Sequence, residues 1–350
     1  MNNYSHLRVG VVGATGYAGI ELVRLLRRHP GVELVAAMSS GRNPQVSPLS
    51  ELVPALAGIA DLPVVPGSVK AALEAGVEAV FLATPHEASM DWVAGLLEAR
   101  TASGKPVLII DLSGAFRFQQ QSVFEQWYKL NHTVPHLLPR AVYGWPERYR
   151  EQIRTAQLVG NPGCYATTAM TAIWPLAAAG LIESDTIICD AKSGASGAGK
   201  GLRDDLHFVE LESNCKAYGV LSHRHTPEIA EQSGIPVEQL VFTPHLLPTT
   251  RGILATTYVR LKPGVDEAAV EQAYRTAYDG HPFTRFRGAQ LPEINHVAHT
   301  NFCDVGFRIN RASRQAVVVS CLDNLLKGAA GQALQNFNLM TGWPEDTGLL

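Results

Sequence analysis

From Leu7 to about Gly163, short apolar runs alternate with stretches in which apolar residues recur every three or four positions. The runs are LRVGVVG, VELVAAMSS, EAVFLATP and KPVLIIDLSG, and the periodic stretches include YAGIELVRLLRRHP and EASMDWVAGLLEAR. Such alternation predicts strands and helices in turn, hence an α/β domain with a parallel sheet. The strand runs are apolar throughout rather than at every second position, which is expected where helices cover both faces of a doubly wound sheet. Gly41 to Gly67 is rich in Pro, Ser and Gly, and Phe118 to Arg150 mixes aromatics, His and Pro without period, so both read as irregular surface segments.

The pattern changes after Cys164. CYATTAMTAIWPLAAAGLI predicts a helix with a kink or stop near Pro175, ending by Gly180. TIICDAKSG, QLVFTPHLL, ILATTYVRLK and QAVVVSCLDN then read as strands and DEAAVEQAYRTAYDG as a helix, so the second half is expected to be α+β with an antiparallel or mixed sheet. NLLKGAAGQALQNFNLM is a final helix. The expected division is a first domain over residues 1–163, rejoined by the C-terminal helix 324–350, and a second over 164–323. A length of 350 residues suits two domains of about 150 each.

Composition narrows the function. With 46% hydrophobic and 17% charged residues the chain is ordinary globular protein, not a disordered one. A net charge of -3 supplies no field to gather nucleic acid or an anionic membrane, so neither is an expected partner. No run approaches the roughly 18 to 20 apolar residues that span a bilayer, and MNNYSHLRVGVVGATG is not a secretory signal. Cys164, Cys189, Cys215, Cys303 and Cys321 are odd in number, without C-x-x-C or zinc spacing. They read as reduced thiols in a cytoplasm, with no metal site.

Gly13-Ala-Thr15-Gly16-Tyr17-Ala-Gly19 follows an apolar strand and opens a helix. Unpaired N-H groups at such a helix start carry partial positive charge and suit a pyrophosphate, so Gly13, Thr15, Gly16 and Tyr17 are candidate cofactor contacts. The plain alternative is a tight turn without a ligand. The next strand ends in Ser39, Ser40, Gly41 and Arg42 instead of the acid that accepts from an NAD ribose; hydroxyls and a guanidinium fit a 2'-phosphate and predict NADP(H). Thr84, Pro85 and His86 follow another strand, at the carboxyl edge where open sheets bind ligands, and Thr84 and Pro85 are expected to touch the cofactor.

Asn161-Pro162-Gly163-Cys164 places a thiol at the first residues of an apolar helix, where the dipole favours the reactive thiolate. The densest source of a partner acid or base is His223-Arg224-His225 before Thr226-Pro227-Glu228. Residues two apart on an extended segment share a face, so either histidine can serve. DLSGAFR and AKSGASGAGK, each at a strand end, offer small residues beside a cation. They make Ser113, Arg117 and Lys200 candidates for holding the substrate, Arg117 leading for its phosphate with Lys200 and Arg251 weaker, and Ser193 and Gly194 candidates for the cofactor; Asn161, before the cysteine, is a further substrate candidate.

With these residues in view, the chain resembles the N-acetyl-gamma-glutamyl-phosphate reductase family (type 1) over nearly its whole length. The matching motifs are VGATGYAG, DLSGAFR, VGNPGCYAT, DAKSGASGAGK, HRHTPEI, FTPHLLPTTRGI and NLLKGAAGQALQN, in the family order. The resemblance implies a Rossmann-type NADP-binding domain plus an α+β catalytic and oligomerisation domain of the semialdehyde dehydrogenase kind. It implies a phosphorylating, NADP-dependent oxidoreductase of arginine biosynthesis that reduces an acyl phosphate to an aldehyde and releases inorganic phosphate through a Cys164 thioester. It places the nicotinamide near Asn324. Gly114-Ala115 stands where relatives commonly have Ala-Asp, which removes any acidic contact at that loop, and Ala166 stands where some have Pro.

The nearest rivals are relatives acting on aspartyl or aminoadipyl phosphate. A non-catalytic NADP-binding protein is a further one, against which stand both Cys164 and the histidine pair. A redox sensor is another, against which stands the lack of a nearby resolving cysteine. A homodimer or tetramer is expected through the second domain, whose sheet invites pairing.

Overall fold

In the computed structural model, which describes residues 6–39, 46–183 and 185–350, the apolar runs of the first half become strands of one sheet. They belong to a unit formed by the chain up to Pro162 together with Ala329–Leu350; Gly163–Gly328 forms the other unit. The strands are β1 (Leu7–Val12), β2 (Val32–Ser39), β3 (Ser47–Pro48), β4 (Pro63–Pro66), β5 (Ala79–Leu82), β6 (Leu108–Asp111), β7 (Ala141–Tyr143) and β8 (Leu158–Gly160). Among the described residues their order is β3-β4-β2-β1-β5-β6-β8-β7, parallel except for the edge strand β3.

The two-sided burial of this sheet explains its unbroken apolar runs. Ala79 and Phe81 of β5 pack with Leu22, Val23 and Leu26 of the helix Tyr17–Arg28 and with Leu334 and Phe337 of the helix Gly331–Thr341. Val80 and Leu82 point the other way, into Met90, Val93 and Leu96 of the helix His86–Leu97. Full burial of each large side chain contributes about 1.5–3 kcal/mol.

Both segments expected to be irregular hold short elements. The first contributes β3, the helix Leu49–Leu52 and β4. The second contributes the helix Gln121–Tyr128, a 3-10 turn at Pro135–Arg140, β7 and the helix Pro146–Arg154. Elements this short show no period; the second segment is anchored by rings instead. His132 lies edge-on to Phe116 at 5.4 Å and to Phe124 at 5.1 Å, its Nε2 bonded to the Ala115 carbonyl.

The second unit is built on a seven-stranded sheet in the order β10-β11-β9-β12-β15-β14-β13. Its strands are β9 (Ile187–Gly194), β10 (Lys216–Ala217), β11 (Leu240–Leu247), β12 (Ile253–Arg260), β13 (Thr284–Phe286), β14 (Cys303–Asn310) and β15 (Gln315–Leu322). The sheet is mixed: β9–β11 and β13–β14 run parallel, the other pairs antiparallel. Strand β14 was not expected, although Cys303, Val305, Phe307 and Ile309 alternate with small or polar residues as in a strand; its buried Asp304 is neutralised by Arg285 at 2.5 Å.

The helix Cys164–Ala178 lies on this sheet, against β12, β15 and the helices Thr226–Ser233 and Glu267–Tyr278. It does not stop at Pro175. Proline has no N-H to give the Thr171 carbonyl, and the Tyr278 hydroxyl donates to that oxygen at 2.9 Å. No helix among the described residues is long and apolar enough to cross a membrane.

Candidate active site

In the first unit the glycine loop joins β1 to the helix Tyr17–Arg28. Gly13 has φ +83, and a Cβ there would lie 2.2 Å from the Ala83 carbonyl oxygen; a Cβ on Gly19 would lie 2.1 Å from that of Gly13. These two glycines let the loop turn and the helix close onto it. Gly16, the helix N-cap, is different, since a Cβ there meets only the Gly13 oxygen at 3.5 Å. With Thr15 half-buried and Tyr17 exposed beside it, the loop has the small, donor-rich form that a dinucleotide pyrophosphate requires. Ser39 ends β2 half-buried, while Ser40 and Arg42 lie outside the described residues.

At the carboxyl ends of β5 and β6 a buried hydrogen-bonded chain runs through Thr84, Ser89, Asp111 and Ser113. Thr84 Oγ1 and Ser89 Oγ are 2.9 Å apart, Ser89 donates to Asp111 Oδ1 at 2.5 Å, and Ser113 donates to Asp111 through N at 3.0 Å and Oγ at 2.8 Å. Burial pushes the Asp111 carboxyl pKa upward, opposed by these bonds and by Arg117. Arg117 is itself buried, donating to the carbonyls of Asn161 at 2.7 Å and Leu112 at 2.8 Å. Asn161, also buried, donates to Ala329 and accepts from Asn336. Pro85 is exposed, and His86 accepts from Gly114 N at 2.9 Å, with the Tyr128 ring filling the space above Gly114.

In the second unit Cys164 is the first residue of its helix and half-buried. Gly163 caps that helix, and its N-H donates at 2.8 Å to Glu228, a buried carboxylate on the helix Thr226–Ser233. On the other side a π-turn, Leu326–Ala330, follows Asp323, and a Cβ on its Gly328 would lie 2.7 Å from Cys164 Cβ. Only a glycine lets backbone back onto the cysteine this closely. Burial pushes the Cys189 thiol up to about 11, and the Cys321 thiol higher still, so neither is a thiolate at neutral pH.

The two histidines do not lie on an extended segment, as their spacing had suggested. His225 is in helical geometry as the N-cap of the helix Thr226–Ser233, which folds the rings against each other, centroids 4.8 Å apart. The His225 N-H donates to His223 Nδ1 at 3.1 Å. Burial, and then the Arg224 charge, lower the His223 pKa to about 4. Tyr165 presents its ring edge-on to both, at 5.6 and 6.2 Å.

A knot of loops also lies within this unit. Asn324 accepts from Gly252 N and donates to Ser196 Oγ, both at 2.8 Å, while Gly194 N donates to the Gly252 carbonyl at 2.9 Å. Asp323 gathers Arg251, His299 N and Leu325 N, and these ties keep residues 323–328 in the second unit, so the return to the first unit begins at Ala329 rather than at Asn324. Ser193 is buried, donating to the Gly194 carbonyl, and Lys200 is exposed. Glu228, Tyr165 and Gly328 were not singled out from sequence; the only linear hint was Glu228 in the first turn after His225.

Comparison with known proteins covers both units. The NAD-binding domain of semialdehyde dehydrogenases matches residues 8–156, and their dimerisation domain matches 164–324. Proteins named N-acetyl-gamma-glutamyl-phosphate reductase are similar over nearly full length. That of Halothermothrix orenii is 45% identical with 98% of each chain covered, and that of Symbiobacterium thermophilum is 46% identical over 98% of this chain and 97% of that one. Among solved structures, aspartate semialdehyde dehydrogenase II of Vibrio cholerae, complexed with ASA, has a TM-score of 0.69 at 17% identity, covering 97% of this chain and 99% of that one. Aspartate semialdehyde dehydrogenase of Candida albicans, with NADP, has a TM-score of 0.63 at 15% identity, covering 96% and 99%. These structural likenesses concern the fold.

Proposed function

Since the chain belongs to the N-acetyl-gamma-glutamyl-phosphate reductase family of semialdehyde dehydrogenases, we propose that it reduces N-acetyl-L-glutamyl 5-phosphate to N-acetyl-L-glutamate 5-semialdehyde, using NADPH and releasing phosphate, in arginine biosynthesis. The observation that carries this reading is Cys164 at the first turn of its helix, beside a segment in which two imidazoles are packed together.

Cys164 attacks the acyl carbon as the thiolate. A C-S bond forms, the C-O bond to phosphate breaks, and an acyl thioester is left on Sγ. N-H groups of the first helical turn are the donors for the carbonyl oxygen. When bound, NADPH supplies the hydride that reduces the thioester. His225 gives a proton to the sulfur as the C-S bond breaks and the aldehyde departs, and takes one in the reverse direction. We assign this role to His225 because His223 accepts a backbone N-H at Nδ1 and, with a pKa of about 4, is neutral at pH 7.

The loop Gly13–Gly19, with Thr84 and Pro85, would hold the cofactor in the first unit; in the second, Ser193, Gly194 and Asn324 would hold the nicotinamide. Both ends of the Asn324 amide are engaged, yet a primary amide has two donors and two lone pairs, which leaves capacity for a ring carboxamide. The preference for NADP rests on Ser39, Ser40 and Arg42 standing where an acid would select NAD. Lys200 and Arg251 are the cations of the second unit suited to the substrate's anionic groups. Ser113, Arg117 and Asn161, turned inward, act in this reading as scaffold for the strand ends.

A homodimer through the second unit is supported by the match to a dimerisation domain and by an uncovered sheet face. Val241, Ile188, Tyr258 and Val317 lie side by side across β11, β9, β12 and β15, with Ile188 42% and Tyr258 38% exposed. Five cysteines that stand as thiols and not as disulfides fit a reducing cytoplasm.

The test is the reverse reaction. NADP, inorganic phosphate and N-acetylglutamate semialdehyde are mixed with the protein and NADPH absorbance is followed, with aspartate semialdehyde in parallel. Phosphate-dependent NADPH formation with the acetylated substrate is expected; preference for the aspartyl compound moves the substrate assignment, and silence with both removes the catalytic reading.

A further inference from the structure

Tyr165, next in the chain to Cys164, is buried, and its hydroxyl is hydrogen-bonded on two sides. It donates to the His245 carbonyl on β11 at 2.8 Å and accepts from the Tyr218 hydroxyl at 3.3 Å. Burial first, then its contact with Tyr218, raises the phenol pKa, so the group stays a neutral donor. The segment that carries the histidines hangs from the same strand. Ala217 of β10 pairs with His245, and Tyr218 N donates to the Pro244 carbonyl at 3.0 Å. Tyr218 is in turn edge-on to His223 at 5.6 Å.

We propose that Tyr165 is a positioning residue, whose hydroxyl fixes the first turn of the cysteine helix to β11 and whose ring sets His223 and His225 at their distance from Cys164. The inference rests on Cys164 as nucleophile and the histidines as its proton partners. The Gly163–Glu228 bond joins the cysteine helix to the helix that His225 caps, and Gly328 packs on the cysteine; the Tyr165 ring, by contrast, meets both imidazoles directly. The Phe242 ring is edge-on both to Tyr165 at 5.5 Å and to His223 at 5.4 Å, so the tyrosine and the imidazole share a packing partner. Displacing a reacting group by about 1 Å costs on the order of a hundredfold in rate.

Tyr165→Phe keeps the ring and removes the anchor, Tyr165→Leu removes both, and Tyr218→Phe removes only the donor to Tyr165. The readouts are kcat and KM in the reverse reaction, the rate of Cys164 alkylation by iodoacetamide, and thermal melting. The expectation is a kcat loss of about tenfold for Tyr165→Phe and about a hundredfold for Tyr165→Leu, with KM within about twofold and alkylation slowed in the same order. Tyr165→Phe that folds like the wild type with unchanged kcat and alkylation overturns the inference, and so does loss confined to KM. If Tyr165→Leu does not fold, Tyr165→Phe and Tyr218→Phe decide. Cys164→Ser is measured alongside: full turnover by that variant removes the nucleophile reading itself, whereas an inactive Cys164→Ser beside normal tyrosine variants removes only the role of Tyr165.

Discussion

The environment of His223 resists charge. Burial and Arg224 hold its pKa at about 4, against 6.5 for an unperturbed histidine. Between these values the unfolded chain binds a proton that the folded chain does not, so the stabilisation present at pH 7 is lost as pH falls from 6.5 towards 4. The full difference is roughly 3 kcal/mol. Denaturant melts should therefore show a smaller loss between those pH values for His223→Asn than for the wild type; identical losses would mean that His223 is not the group responsible. Arg42, outside the described residues, brings a positive charge to the end of β2 in the sequence. Arg42→Asp should shift the ratio of kcat/KM towards NAD, and an unchanged ratio would place the 2'-phosphate contact elsewhere. Cys164 was legible because a thiol after Pro-Gly at the head of an apolar helix is a local pattern. Tyr165, Glu228 and Gly328 were not, since each matters through a contact made far along the chain: with His245, Gly163 and Cys164 respectively.

Among the elements, the helix Cys164–Ala178 shows how tertiary contacts override a local rule. Pro175 predicts a kink or stop, and the helix continues because Tyr278, from another helix, donates to the carbonyl that the proline leaves over. Tyr278→Phe should leave that buried oxygen without the tyrosine donor and cost about 1–3 kcal/mol, read as a lower denaturant midpoint with unchanged slope. A midpoint equal to that of the wild type would show the carbonyl satisfied in another way. The same helix carries Cys164, so the variant also tests whether a fault at Pro175 reaches the first turn: kcat should stay within about twofold, since the effect of a lost bond is local. Elements such as β1, β5 and the helix Glu267–Tyr278 were readable because burial on two faces gives an unbroken apolar run and burial of one stripe a helical period. Strand β14 was passed over although Cys303, Val305, Phe307 and Ile309 alternate along it; what its neighbours β13 and β15 add is the burial of Asp304, which Arg285 neutralises.

At the scale of the whole molecule, the second unit leaves one face of its sheet uncovered, with Ile188 and Tyr258 exposed at paired positions. An unscreened apolar row of this kind is what a second copy would bury. The proposed dimer should therefore be lost in Ile188→Glu with Tyr258→Glu, the molecular mass seen by sedimentation falling to that of one chain, 37.8 kDa, under conditions where the wild type sediments as a larger species. An unchanged assembly would place the interface elsewhere. Hydrophobic periodicity by itself determined the doubly wound first half, the mixed second half and the cysteine at a helix start. Each is an arrangement of neighbours in sequence, or of faces set by a repeat of two or three to four residues. The tertiary structure alone decided that His223 carries a depressed pKa, which glycine admits the backbone against Cys164, and why Ser113, Arg117 and Asn161 turn inward. Those outcomes depend on burial and on hydrogen-bond partners remote in sequence, where desolvation and the positions of single donors outweigh any local preference.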